Sequence, residues 1–110
     1  MSKRSPEILI ADIIDSITKI ETYTSGLEYA EFINSDLILD AVSRNFTVIG
    51  EAANRLPKDF TENHNHIDWA NIISFRNRIV HEYFGIDSHI TWQIIINDLN
   101  PLKQTLLTLK

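Results

Sequence analysis

The chain has no cysteine, only three glycines and three prolines, and no long apolar run. Without cysteine there can be no disulfide framework and no thiolate metal site, which suits a reducing cytosol. Nothing approaches the roughly 20 apolar residues that span a bilayer; the apolar runs are short, such as Ile94-Ile95-Ile96. Lys3 and Arg4 give the N-terminus a basic start, but Asp12 and Asp15 interrupt the apolar stretch that follows, as a secretory signal would not allow. A cytoplasmic, unexported chain with no membrane partner is expected. Basic residues are also in deficit, 10 against 15 acidic, for a net charge of −5. That argues against a protein that coats nucleic acid by bulk electrostatics, so any RNA function must come from a local site. There is no glycine-rich phosphate loop, so the chain should not itself be a nucleotidyltransferase.

What is present points to helices. A length of 110 residues predicts a single domain, 1–110, able to bury about two-thirds of its unfolded surface. Sparse glycine and proline predict long uninterrupted elements. Ser5-Pro6-Glu7 reads as a helix start, with a serine cap, proline in the first turn and an early acid. Ile10, Ile13, Ile14, Ile17 and Ile20 then recur at helical spacing, and Ser25-Gly26 ends the element. Residues 27–34 read as a short helical turn carrying Tyr29 and Phe32. Asn34 or Ser35 caps a second long helix with Leu39, Val42, Phe46, Ile49, Ala53 and Leu56 on its apolar face, stopped by Pro57. Residues 58–67 look polar and irregular. Asp68 opens a third helix running through Trp69, Ile72, Ile73, Ile79 and Val80 to Gly85. Asp87 or Ser88 caps a fourth with Ile90, Trp92, Ile94, Ile95 and Leu99, which Pro101 should kink or split from a last segment with Leu102, Leu106 and Leu109. The expected fold is all-α: an up-and-down bundle of four long helices plus a short helical turn.

The segment richest in chemistry is Phe75-Arg76-Asn77-Arg78-Ile79-Val80-His81-Glu82-Tyr83, which contains Arg-x4-His-x-Tyr. At about 100° per residue, Arg76 and Tyr83 lie nearly above one another, while His81 points roughly 140° from Arg76. One ideal helix therefore does not aim all three at one point. A long arginine side chain, a distorted helix end or a second copy of the chain would bring them together, and a dimer cleft is the preferred arrangement. The trio suits metal-free RNA cleavage. An imidazole titrating near neutrality serves as base or acid, and a guanidinium grips the charge that builds on the phosphorane. Asn77 adds a donor or orients His81.

Other groups carry less. His64-x-His66 with Asp68 resembles a metal set but lacks a further ligand of known position, and reads as a surface loop; neither metal nor cofactor is expected. Glu82 pairs with Arg78 or faces solvent. Glu51 follows Gly50 and precedes Ala52 and Ala53, small residues that allow close helix approach in the core or at a dimer seam. Trp69 and Trp92 read as core or interface anchors.

Arg76-x4-His81-x-Tyr83 resembles the signature of the HEPN superfamily in its HepT branch. Ala41-Val42-Ser43-Arg44 and Ile49-Gly50-Glu51-Ala52-Ala53 resemble that family's second helix. Ile67-Asp68-Trp69-x3-Ile73 and Arg76-Asn77-Arg78-Ile79-Val80-His81 resemble its motif helix. Tyr83-Phe84-Gly85-Ile86-Asp87, Trp92 and Leu99-Asn100-Pro101-Leu102 continue in register, with proline one place later than the family tends to have it. The resemblance implies an all-helical homodimer with its cleft between protomers. It implies a ribonuclease toxin that cuts messenger or transfer RNA, with Arg76 and His81 catalytic and Asn77 and Arg78 supporting RNA. It also implies an MNT-type nucleotidyltransferase antitoxin that attaches AMP to Tyr83, in a type VII pair whose toxin dimer can enter a larger complex with the antitoxin. Two rival readings stand beside it: a non-catalytic HEPN nucleotide-binding partner module, which the acidic balance favours, and a purely structural dimerisation bundle.

Overall fold

The computed structural model describes residues 4–77 and 88–109. Among these, every regular element is helical and no strand occurs. In chain order they are α1 (Pro6–Thr24), α2 (Tyr29–Ile33), α3 (Asp36–Asn54), α4 (Lys58–Asn63), α5 (Trp69–Ser74) with a tight 3₁₀ turn (Phe75–Asn77), α6 (Ser88–Gln93), a π turn (Ile94–Asp98) and α7 (Leu99–Leu107).

The capping signals work as the sequence predicts. Ser5 Oγ accepts from Ile8 N–H at 3.3 Å and Ser35 Oγ from Ile38 N–H at 3.2 Å, each satisfying a donor that the first helical turn leaves free. Gly26 follows α1 at φ 77°, the left-handed geometry that a side chain disfavours. The isoleucine stripe of α1 (Ile10, Ile13, Ile17, Ile20) packs against Val42, Phe46 and Ile49 of α3, and each of these seven is at most 2% exposed. Full burial of such side chains is worth roughly 1.5–3 kcal/mol apiece, so the α1–α3 pair is the energetic spine. The start of α1 (Leu9, Asp12) lies beside the end of α3 (Val48, Glu51, Arg55), so the two run antiparallel. Across them, α2 and α6 meet through aromatic rings: Trp92 packs on Phe32 at 5.0 Å and on Tyr29 at 6.2 Å. Trp69 and Trp92 are both buried, as expected of anchors.

Three expectations are corrected. The segment 58–67 is not wholly irregular, because 58–63 form α4. Pro57, whose ring ends the preceding element, has the extended backbone that starts the next (φ −61°, ψ 147°), and Phe60 holds the turn on the core beside His64 and Trp69. The third helix does not run as one α-helix: it tightens to 3₁₀ geometry at 75–77, and its expected course to Gly85 lies outside the described residues. The fourth does not break at Pro101. Instead the π turn precedes it, with Leu99 N–H donating five residues back to Ile94 O. A π turn shifts the hydrogen-bond register just before a residue that has no N–H to offer, and the helix then continues through Pro101 to bury Leu106. Among the described residues α1 and α3 are 19 residues each, and α6, the π turn and α7 follow one another as one helical run over 88–107. Ser88 begins α6; Asp87, the other capping candidate, lies outside the described residues.

The end of α1 is clamped to α7 by a polar cluster. Glu21 accepts from Lys103 Nζ at 2.9 Å and from Asn100 Nδ2 at 3.0 Å, with the Glu21 and Lys103 side chains 27% and 21% exposed. Burial by itself raises the Glu21 carboxyl, but the hydrogen bonds from Asn100 and Lys103 and the lysine charge outweigh it and hold the group below its ordinary value of 4.5. A carboxyl depressed by folding adds stability that is fully present above the unfolded value and disappears as pH falls through the folded one. Glu21→Ala should therefore lower stability by about 1–2 kcal/mol at pH 7. The gap from the parent should narrow once pH drops below about 4.5. Thermal melts of both proteins across pH 3–7 check this; a gap that is constant with pH overturns the assignment.

Candidate functional site

Arg76 is placed by three successive constraints. Asp68 accepts from Asn71 N–H at 3.1 Å and starts α5, while Trp69 Nε1 donates to His64 O at 3.1 Å and fixes the entry of the chain. Ile72 and Phe75 then turn into the core, where the Phe75 ring meets Phe46 of α3 edge-on at 5.4 Å and 85°. Finally, Gly50 lets the two backbones touch. A Cβ built on Gly50 would lie 2.7 Å from each of Arg76 Cβ, Arg76 N and Ile73 O. The sequence expectation that the Gly50 neighbourhood permits close approach is met, and the approach is made by the residue that carries the guanidinium.

With its backbone held this way, the Arg76 side chain emerges 37% exposed. Its charge partner is Glu51, the residue after Gly50, at 3.9 Å. That distance is an ion contact and not a hydrogen bond, and both groups are open to solvent, so it contributes little to stability. Among the described residues no side chain takes a hydrogen bond from the guanidinium. Glu51, in the run of small residues that allow close approach, thus stands beside the guanidinium.

The roles expected of Arg78, His81 and Tyr83, of the Asn77 side chain and of the Arg78–Glu82 pair lie outside the described residues. Residues 75–77 tighten into a 3₁₀ turn. A 3₁₀ turn rotates about 120° per residue in place of about 100°, so the angle predicted from an ideal helix does not carry across it. The histidines of the 64–66 loop make other contacts. The His64 ring lies 4.6 Å from Phe60, and His66 lines a hollow of about 240 Å³ between α5 and α7 together with Asp68, Asn71 and Asp98. Arg76 is not part of that hollow. Among the described residues no cluster of three or more histidine or acidic side chains could hold a metal.

The described residues of this helical fold thus present the Arg76 guanidinium, 37% exposed, from a tightened turn beside the Glu51 carboxylate. The profile of the family described as Ribonuclease HepT-like matches residues 13–109. A Methanocaldococcus jannaschii protein named Putative RNase MJ1380 is 36% identical over 104 residues, covering 94% of this chain and 95% of that protein. A Thermococcus cleftensis protein named Probable ribonuclease HepT is 33% identical over 101 residues, covering 92% of each. Another, named Putative RNase TTE0752, from Caldanaerobacter subterraneus subsp. tengcongensis, is 28% identical over 101 residues, covering 92% and 90%. No solved structure gives a significant match. The chain belongs to the HepT-like ribonuclease family, and its class of enzyme is an endoribonuclease.

Gly50→Ala tests the placement of Arg76. A methyl meeting two backbone atoms at 2.7 Å forces α3 and the 3₁₀ turn apart. Overpacking of this kind costs about 1–3 kcal/mol, against a helix-propensity gain of about 1 kcal/mol. The melting temperature should fall by several degrees, and RNA cleavage should fall further than the unfolded fraction explains. A variant as stable and active as the parent removes the close approach from the account.

Proposed function

We propose that the chain is the toxin of a type VII HEPN/MNT pair, a metal-independent endoribonuclease that cuts messenger or transfer RNA by internal attack of a 2′-hydroxyl. The observation that supports this best is Arg76: a guanidinium locked at the backbone, open at its tip, and free of side-chain hydrogen bonds among the described residues. Such a group is preorganised to receive a phosphate, so little of its binding energy is lost in ordering it.

In the proposed reaction His81 takes the proton from the 2′-hydroxyl. The O2′ atom then forms a bond to the adjacent phosphorus while the bond from phosphorus to the 5′-oxygen breaks. The leaving oxygen is protonated by a general acid, the second histidine of a homodimer in this reading. Products are a 2′,3′-cyclic phosphate and a 5′-hydroxyl. Arg76 holds the non-bridging oxygens, on which charge accumulates, in the two-point fashion that suits a planar fork. Asn77 and Arg78 support the RNA on either side.

Tyr83 is the regulatory group. Its hydroxyl attacks the α-phosphorus of ATP in the partner MNT-type nucleotidyltransferase, pyrophosphate leaves, and AMP is joined to the tyrosine. The added phosphate brings a negative charge and a bulky nucleoside beside the arginine, which would displace the RNA phosphate. The acidic net charge of −5 favours a second reading, a non-catalytic HEPN module that binds nucleotide for its partner.

The deciding experiment uses purified protein, RNA and EDTA. Cleavage to fragments ending in cyclic phosphate is expected with chelator present. His81→Ala should lose about 10²–10⁴-fold in rate with an unchanged melting temperature and elution volume. Arg76→Lys should lose roughly tenfold or more, because lysine lacks the fork. Undiminished cleavage by His81→Ala sinks its assignment; no cleavage by the parent, with nucleotide binding retained, leaves the partner-module reading.

A further inference from the structure

A groove of about 320 Å³ opens between the start of α1 and the last turns of α3. That is the low end of the range of small-molecule sites. Its floor is apolar, made by Leu9, Val48 and Ala52, of which Leu9 and Ala52 are buried. The polar groups on its rim differ in what they have left to offer. Arg4 and Asp12 satisfy each other, with guanidinium nitrogens donating to the two carboxylate oxygens at 3.0 and 3.1 Å. Glu51 and Arg55 are uncommitted. Among the described residues neither makes a side-chain hydrogen bond, Arg55 has no ion pair, and Glu51 has only the 3.9 Å contact with Arg76.

Glu51 is therefore shared: it walls the groove on one side and touches the phosphate-binding arginine on the other. We infer that this groove seats the nucleotide adjoining the scissile phosphate, and that Glu51 reads its base as guanine. The inference rests on the ribonuclease reading and on Arg76 holding that phosphate. A nucleobase has apolar faces and a polar edge, and single-stranded RNA is read by packing the faces and bonding the pairing edge. The groove offers that combination, with an apolar floor and an acceptor at its edge.

A carboxylate accepts at both oxygens and donates from neither. Guanine presents two neighbouring donors on its pairing edge, N1–H and the N2 amino group, which match the two oxygens. Adenine and cytosine present one amino group beside an acceptor nitrogen. Uracil presents one N–H between two carbonyls that a carboxylate repels. Arg55 stands one helical turn beyond Glu51 on the same rim and serves the next phosphate along the strand.

The test uses short deoxyribose chains carrying a single ribonucleotide, which fixes the point of cleavage, with G, A, C or U varied on either side of it. A matching set with that ribose 2′-O-methylated reports binding without cleavage. The parent should prefer guanine on one side roughly tenfold or more in kcat/KM and in affinity. Glu51→Gln, with one acceptor exchanged for a donor at equal size, should shrink that preference to about twofold. Arg55→Ala should keep the guanine preference, weaken binding of all four chains alike, and reduce the salt slope by about one. Circular dichroism establishes that both variants are folded. Cleavage by the parent with no base preference, or a preference that survives Glu51→Gln, overturns the subsite and leaves the ribonuclease reading standing. Guanine-dependent binding that Glu51→Gln removes, without cleavage of the ribose set, keeps the subsite and overturns cleavage. Loss of both readouts overturns both.

Discussion

Everything at the site depends on the contact of two backbones at Gly50. Helices normally pack at a distance set by their side chains, about 8–10 Å between axes. Here a missing side chain lets the end of α5 and the 3₁₀ turn lie directly on α3, so that Arg76 N and Cβ stand 2.7 Å from where a Cβ on Gly50 would be. The Phe46–Phe75 ring contact, one turn below Gly50 on α3 and one residue before Arg76, holds the approach from the core side. A long, flexible side chain thereby starts from a fixed point. This matters because the side chain of arginine carries about 2 kcal/mol of rotamer entropy, and a phosphate site gains when as little as possible of it is left to be lost on binding.

The rest of the fold makes that contact affordable. The α1–α3 spine contributes apolar burial, and the α2–α6 ring cluster closes one side. The Glu21–Lys103–Asn100 cluster ties α7 to α1 over some 80 residues of sequence. The two halves of the charge arrangement then differ in kind. Glu21 and Lys103 are mutually satisfied at hydrogen-bond distance and partly covered, which makes them structural. Glu51 and Arg76 face each other at 3.9 Å in the open, close enough to set each other's orientation and too far apart to consume each other's hydrogen bonds. That looseness is what a binding site requires, since a tightly satisfied pair would have to be broken before any ligand could enter.

Reading the sequence recovered the elements whose signals are local. Ser5-Pro6 and Ser35 cap helices, Gly26 terminates one, and the isoleucine stripe of α1 names its buried face residue by residue. It missed α4 because a six-residue helix carries a single apolar residue, Phe60, and one residue has no period. It missed the tightening at 75–77 because an apolar pattern does not distinguish α from 3₁₀ geometry over one turn. It placed the irregularity of the last helix at Pro101 rather than at 94–98, because proline announces that a hydrogen bond is lost without saying how the register adjusts. The surroundings of Arg76 were readable in part: the small residues around Gly50 signalled a close approach. Which residue would be approached, and that Glu51 would stand beside the guanidinium, had no local signature.

By itself, then, the amino-acid order determined an all-helical chain, its caps, its buried stripe and its family, since capping, periodicity and motif spacing act over a few residues or turns. The tertiary structure alone decided that Gly50 meets Arg76, that Glu51 stands beside the guanidinium and that a groove begins next to it. Those facts join residues some 25 positions apart or more. They arise from how two helical surfaces fit once the core has fixed their separation, and no local run of sequence encodes that fit.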